Sequence, residues 1–338
     1  MDIPQNVINY LNNLDIDVEV IDLSHKGLTV LPDLSRFTNL KKLDCSFNKI
    51  KKFNNLPEKL VELNCSDNQI QDLHNLPKKL RILYCYNNQI KELNHLPDKL
   101  KVLCCSHNKI QELKDFPKGL QKLYCNNNQI KKLNHLPDKL KELCCSHNKI
   151  KVLGKLPETL IQLYCDHNQI QKLNNLPNKL QALDCSNNQI KKLNHLPDKL
   201  KVLNCCTNKI QELKDFPKGL QKLYCDYNQI QKLNNLPDKL KILDCAYNQI
   251  QEINNLPKGL EQLFCPYNRI QELNNIPESL IILYCNENPL PSFDINVLKE
   301  IDINNKKREI LVLFIVGIQK NSFDNDDIFR KIGKYVLT

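Results

Sequence analysis

Thirteen of the sixteen cysteines fall at one fixed phase, from Cys45 through Cys65 and Cys85 to Cys285, each 20 residues after the last. Such a row could serve as a metal array, a chain of disulfides, a set of nucleophiles or a buried apolar seam. Three more cysteines break the phase. Cys104 and Cys144 each precede a cysteine of the row, and Cys206 follows one. The string C-C-S-H-N puts His107 three residues after Cys104 and His147 three after Cys144, a spacing that metal sites also use.

The elements that must position these thiols follow from the period. Leu40, Leu60, Leu80 and so on to Leu280 begin thirteen units of the form L-x-x-L-x-C-x-x-N-x-I-x-x-L-x-x-L-P-x-x. The Asn recurs in all thirteen, from Asn48 to Asn288, and the Pro in twelve, from Pro57 to Pro277. A degenerate unit of 22 residues precedes them, with Val18, Ile21, Leu23 and Leu28 in the apolar places and Lys26 in the place of Asn, giving fourteen in all. In L-K-K-L-D-C, Leu43 and Cys45 alternate with Lys42 and Asp44, the period of a strand. A strand this short is stable only beside copies of itself, so the units stack into one parallel sheet and a solenoid. The Pro of each return segment blocks a helix and favours an extended or polyproline-like path. Residues 91–125 and 191–225 are nearly identical, which reads as duplication of a block of five repeats.

The unit resembles the leucine-rich repeat, whose pattern L-x-x-L-x-L-x-x-N/C-x-L recurs at 20 to 29 residues, here with Cys in the place of the third Leu. The resemblance covers residues 18–295. The short length and the L-P step look like the repeats of type III-secreted bacterial effectors, and the Asn/Lys/Ile bias like repeat arrays of amoebae and their giant viruses. The resemblance implies a horseshoe with a parallel sheet on its concave face, and a ladder of buried Asn side chains satisfying backbone groups of the turns. It also implies protein binding rather than catalysis. Effectors of this kind that act as ubiquitin ligases carry a large catalytic domain after the repeats, whereas fewer than 50 residues follow here and none is Cys.

Placing the row on stacked strands decides among its chemistries. In-register sulfurs lie in a line ~4.8 Å apart, so four of them cannot surround one zinc ion. Disulfides are within reach by Cα distance, but the Cβ vectors run parallel and every Cys has two equivalent neighbours. Buried thiols acting as small apolar side chains are the expectation. Cys104, Cys144 and Cys206 point to the concave face, where the two C-x-x-H pairs lie two repeats, ~10 Å, apart, too far for one ion. The sequence therefore predicts no catalytic residue, no metal and no cofactor.

The places between the frame residues carry the binding signal. Places 3, 5, 7 and 8 of each repeat face the concavity. Place 5 holds Tyr84, Tyr124, Tyr164, Tyr224, Phe264 and Tyr284, and places 7 and 8 add Tyr86, Phe47, Tyr227, Tyr247 and Tyr267. Nine of the eleven tyrosines thus share one surface. Tyr suits solvent-facing strand positions in any protein, yet it also offers broad contact area at low entropy cost. Asp44, Glu62, Asp67, Glu142, Asp166, Asp184, Asp226, Asp244 and Glu287 share the surface with Lys42, Lys122 and Lys222 only. The chain as a whole carries +10, so its excess lysines, such as Lys51, Lys131 and Lys191, sit on the flanks and convex side.

The expected function is a non-enzymatic protein-interaction scaffold. Its partner has a basic or mixed surface and is bound on the face that carries Tyr84, Tyr86, Tyr124, Tyr164, Asp166, Tyr224, Asp226, Tyr227, Asp244, Tyr247, Phe264, Tyr267 and Tyr284. A host-interaction factor is one form of such a scaffold. Two alternatives stay open: binding of nucleic acid or another anionic surface by the convex lysines, and an enzyme or metal site at the concave Cys/His pairs. Nucleic acid in the concavity itself would meet repulsion.

The N-terminus lacks the basic and apolar stretches of a secretory signal. The longest apolar run, residues 310–318, is half of what a membrane span needs. An intracellular, cytoplasmic setting, of a host cell if the protein is an effector, follows as the expectation. The domain reading is an N-terminal helical cap over residues 1–17, with Ile3, Val7, Ile8, Leu11 and Leu14 on one face, a solenoid over 18–295, and a C-terminal helical cap over 296–338.

Overall fold

The computed structural model describes residues 3–290. The region read as a C-terminal cap, with its apolar run, lies outside them.

Fourteen strands of three residues each, from Val20–Asp22 and Lys42–Asp44 to Ile282–Tyr284, form one parallel sheet in chain order. Every coil of the solenoid contributes one strand. Pairing is in register at a constant offset, Leu43 opposite Leu63 and Leu263 opposite Leu283. The first pair sets Ile21 opposite Leu43, which absorbs the longer first unit. The regular strand covers only places 3 to 5, but the ladder of hydrogen bonds runs on through the turn. Cys45 N–H donates to Asn64 O at 2.8 Å and Phe47 N–H to Ser66 O at 3.1 Å. Each coil is thereby bonded to the next well past the strand, which is how three-residue strands persist.

The core is one continuous column. Leu at places 1 and 4, Cys at place 6 and Ile at place 11 are almost entirely buried; Leu160, Leu163, Cys165 and Ile170 are all 0% exposed. Each buried Leu or Ile contributes about 1.5–3 kcal/mol relative to exposure. All sixteen cysteines are free thiols. Burial pushes the thiols of the row far above the ordinary cysteine range, so they remain neutral and inert, the behaviour of a small apolar side chain.

The Asn of place 9 forms an unbroken ladder. Asn148 Nδ2 donates to Cys125 O, Cys145 O and Ser146 O at 3.0 to 3.1 Å, and its Oδ1 accepts from Ile130 N–H at 2.9 Å. The same four bonds recur down to Asn288. In the first unit, which has Lys26 in place of Asn, Asn48 Oδ1 accepts from both Lys26 N–H and Leu28 N–H.

The return segments contain no helix. Two short extended pieces, Lys132–Leu133 and Val152–Leu153, pair in a second small parallel sheet. The path is not uniformly extended as the proline-rich reading expects. Asn75, His95, Asp115 and their counterparts at place 16 have φ near +55°, a left-handed corner, and each Pro carbonyl closes a turn, as in Leu80 N–H to Pro77 O at 3.0 Å.

Helix α1, Gln5–Asn12, lies over the first coil. Val7 and Leu11 are buried in the core, and Ile3, Tyr10 and Leu14 pack against it, with Tyr10 in the role the periodicity gives to Ile8. Among the described residues, no helix is long and apolar enough to cross a membrane.

Candidate partner-binding surface

The surface is built from the polar places of the coil, and the structure divides them into three kinds. Places 3 and 5 of the strands are half-buried, because neighbouring strands crowd them on both sides. Place 7 turns largely inward: Ser46, Ser66, Ser186 and Ala246 are buried there. Place 8 stands clear of the sheet at the corner that ends each strand, and Phe47, Tyr227 and Tyr267 are 48%, 52% and 40% exposed.

That corner has one conformation. Every place-8 residue, from Phe47 to Glu287, has φ between 49° and 54°. This left-handed region favours Gly, Asn, Asp and His, and costs other residues about 1–2 kcal/mol. Asp67, Asn87, Asn127, His147, His167 and Asn187 fit the rule. Tyr227, Tyr247 and Tyr267, at three successive corners, defy it. Their rings stack face to face, 4.2 Å between the centroids of Tyr227 and Tyr247 and 4.3 Å between those of Tyr247 and Tyr267. The spacing of the coils nearly matches the thickness of an aromatic stack, so a column of like rings forms wherever aromatic residues occupy consecutive corners. His25 with Phe47 and His147 with His167 do the same at 4.3 and 4.0 Å.

The place-5 aromatics differ from one another. Tyr224 pairs across the sheet with Asp244, and Asp244 with Phe264, which pairs with Tyr284. A carboxylate therefore sits between two aromatic neighbours. Burial holds the Asp244 carboxyl up at about 7, and the charge of Asp226 adds to this. Burial also raises the Asp226 carboxyl, although the Cys206 thiol hydrogen-bonds to it. Two carboxylates, partly withdrawn from water and close enough to repel, border the tyrosine column. Farther along, Tyr124 Oη donates to Glu142 Oε2 at 2.5 Å and Lys122 Nζ pairs with Glu142 Oε1 at 2.9 Å, so Tyr124 is committed within the protein. Lys42 pairs likewise with Glu62 at 3.1 Å. Two of the three lysines on this face are thus spent on two of its nine acidic residues, which leaves seven carboxylates facing one lysine and the net charge unchanged.

The thirteen predicted residues consequently form no single site. Tyr224, Asp226, Tyr227, Asp244, Tyr247, Phe264, Tyr267 and Tyr284 come together on four consecutive coils. Tyr84, Tyr86, Tyr124 and Tyr164 stand apart on earlier strands. Asp166 belongs to a different group, in which its Oδ2 lies 2.9 Å from His167 Nδ1 and 3.9 Å from His147 Nε2. Neither Cys104 nor Cys144 joins that group. Burial pushes the Cys144 thiol to about 12, so it is not a ready nucleophile or ligand. The C-x-x-H string follows the chain, whereas the contacts run across coils. The informative signal was the recurrence of His at a spacing of 20, His147 and His167, with Asp166 beside the second.

The family description Leucine Rich repeats (2 copies) matches residues 58–98 and 98–138. No curated protein matches the chain. Among solved structures, YopM from Yersinia enterocolitica is similar at 28% identity and a TM-score of 0.68, over 80% of this chain and 72% of that one. YopM from Yersinia pestis, described as a leucine-rich effector protein, is similar at 28% identity and a TM-score of 0.71, over 81% of this chain and 86% of that one. The functional domain of InlJ from Listeria monocytogenes, described as including a cysteine ladder, matches at 25% identity and a TM-score of 0.61, over 78% of this chain and 66% of that one.

Proposed function

We propose, from the premise that the chain is a leucine-rich-repeat protein, that it is a non-enzymatic scaffold which binds a protein partner on the sheet face of the coils spanning residues 224 to 284. The observation that carries the reading is the tyrosine column at Tyr227, Tyr247 and Tyr267. A backbone that favours Asn or Asp at each of these corners holds Tyr instead; the outer rings of Tyr227 and Tyr267 stand in solvent, with Tyr247 half-buried between them. Fold stability does not demand them, since the same corner elsewhere holds Asn127 or Asn187. Exposed, mutually braced aromatic rings lose little freedom on contact, and such rings anchor interfaces.

The charge beside them selects the partner. Asp226 and Asp244 supply a negative potential from within a partly desolvated setting, where charge interactions are stronger than in open water. A Lys or Arg side chain of the partner would lie against the free outer face of Tyr227 or Tyr267 and meet these carboxylates, combining cation–π attraction with ion pairing. The partner surface is therefore basic or mixed. Sixteen free thiols fit a reducing compartment, cytoplasmic in the protein's own cell or in a host.

The test compares wild type with a triple Tyr227→Asn, Tyr247→Asn, Tyr267→Asn variant in capture from cytoplasmic extract and on arrays of basic and acidic peptides. Partners and basic peptides that drop by at least about tenfold in the variant support the reading. Binding that persists in the variant refutes it. Salt-sensitive DNA binding that survives the three changes would move the function to the convex lysines.

A further inference from the structure

We infer that His147, Asp166 and His167 form a binding site for a divalent transition ion of the zinc type, with coordination positions left open to water or to a donor from a partner. Among the described residues, these supply the set of three His, Cys, Asp or Glu ligand atoms that all lie within 4.8 Å of one another. The site does not depend on the tyrosine column and lies three coils from it.

The donors suit the ion. Imidazole nitrogen and carboxylate oxygen are the ligands that zinc, copper and nickel accept, and two histidines with one carboxylate plus water complete a tetrahedral zinc sphere. In such a sphere, bonds of ~2.0–2.1 Å put neighbouring donor atoms roughly 3.3 Å apart. The distances from Asp166 Oδ2, 2.9 Å to His167 Nδ1 and 3.9 Å to His147 Nε2, lie on either side of that value.

The scaffold around the donors is fixed. His147 N–H bonds Asp166 O at 3.0 Å and His167 N–H bonds Ser186 O at 3.1 Å, so both histidine backbones belong to the ladder. Both occupy the left-handed corner that His tolerates, with φ of 52° and 49°. The Ser146 hydroxyl donates to Asp166 Oδ1. That bond orients the carboxylate and leaves Oδ2 facing the imidazoles, the arrangement by which an outer partner sets a ligand's direction.

One movement is required. The imidazole planes are nearly parallel, 16° apart with centroids at 4.0 Å, whereas a ring nitrogen presents its lone pair within its own plane. The rings must therefore open about their outer torsions until the lone pairs converge. Both side chains are about half exposed, at 48% and 46%, so each ring has solvent on its outer side into which it can turn. The other stacked or bridged corners lack the donor set. His25 faces Phe47, the tyrosines face one another, and His107 Nε2 sits 3.2 Å from the side-chain amide of Asn127.

The test titrates Zn²⁺ into the full-length, metal-free, reduced protein by calorimetry, and Co²⁺ with its visible spectrum as a report on ligand type and geometry. His147→Asn and His167→Asn suit the left-handed corner and keep the fold, as Asn127 and Asn187 show. The expected result is one equivalent bound by wild type. Either histidine variant, or Asp166→Asn, should weaken binding by about tenfold or more, while Ser146→Ala should weaken it in the 10–100-fold range of an orienting partner. His107→Asn and Cys144→Ser should leave it unchanged. One equivalent that survives the His147→Asn, His167→Asn double variant would overturn the inference. So would loss of the ion in Cys144→Ser together with a thiolate charge-transfer band for Co²⁺, or no saturable binding in wild type.

Discussion

Replacing Tyr247 by Asn separates the binding role of the tyrosine column from its role in folding. Tyr247 is the middle ring, with neighbours at 4.2 and 4.3 Å. Each aromatic pair is worth about 0.5–1.5 kcal/mol, so the change removes roughly 1–3 kcal/mol. Against this, Tyr247 sits at φ of 49°, a conformation that costs a non-Gly side chain about 1–2 kcal/mol and that Asn adopts readily. The two effects nearly cancel, and net stability should change by no more than about 1 kcal/mol. In a chain of this length, such a change shifts the melting temperature by about 2 °C or less. Binding should respond differently, since loss of the central ring breaks the continuous face and should weaken the partner complex by at least tenfold. Urea denaturation gives the first quantity. Near-ultraviolet circular dichroism reports the stack directly, because the chain has no Trp to mask the tyrosine signal. A melting temperature lower by more than about 5 °C would show that the column is structural. Unchanged affinity alongside a lost dichroic signal would show that the stack is not the contact.

Three further outcomes follow. Asn148→Ala should destabilise by about 2–4 kcal/mol, because Ile130 N–H loses its acceptor inside the core while the carbonyls of Cys125, Cys145 and Ser146 keep a second donor from Asn128, Asn168 and Asn127 N–H. Asn148→Asp should be worse at pH 7 and partly recover in acid, since an ionised oxygen would face carbonyl oxygens; hydrogen exchange at Ile130 and equal damage from both variants would test and refute this. Asp244 has a folded-state value near 7 against an ordinary value of 3.8. Its raised value favours the fold below about pH 4, and this stability is lost as pH rises through 7. Asp244→Asn should therefore gain on wild type between pH 5 and 8, whereas partner binding by wild type should strengthen over the same range; parallel stability curves refute it. Thiol titration of the native protein at pH 8 should label at most Cys104, Cys144, Cys206 and Cys285, all sixteen reacting only in denaturant; rapid labelling of Cys165 would contradict the sealed column.

The coil was legible because its frame residues repeat without slippage. Leu163, Cys165, Asn168 and Ile170 could be placed inside from phase alone, and the structure buries each. The corner at place 8 was not legible. Asn and Asp there hint at a left-handed turn, but Tyr227, Thr207 and Phe47 hide it, because tertiary bonding overrides the preference of a single residue. The His147 group stayed hidden for a related reason. His147 lies one coil before the adjacent Asp166 and His167, and the cysteines of the C-x-x-H string take no part in the group. The Tyr124 hydroxyl gave no sign that Glu142 occupies it, since that bond depends on the rotamers of two neighbouring coils. Reading each place as a column down the chain, rather than each repeat as a string, recovers most of this.

The constant register has a consequence for how distances on this surface change. Because each coil makes the same bonds to its successor, a whole number of coils can be gained or lost without disturbing what remains, as the likeness of residues 91–125 to 191–225 illustrates. The gap between the histidine group and the tyrosine column can therefore vary only in steps of one strand spacing, ~4.8 Å. The sheet face acts as a ruler with fixed graduations. Lineages that differ by one in-frame unit between His167 and Tyr227 would present the same chemistry at a different length, and a rigid partner that spans both features could tell them apart by measurement alone.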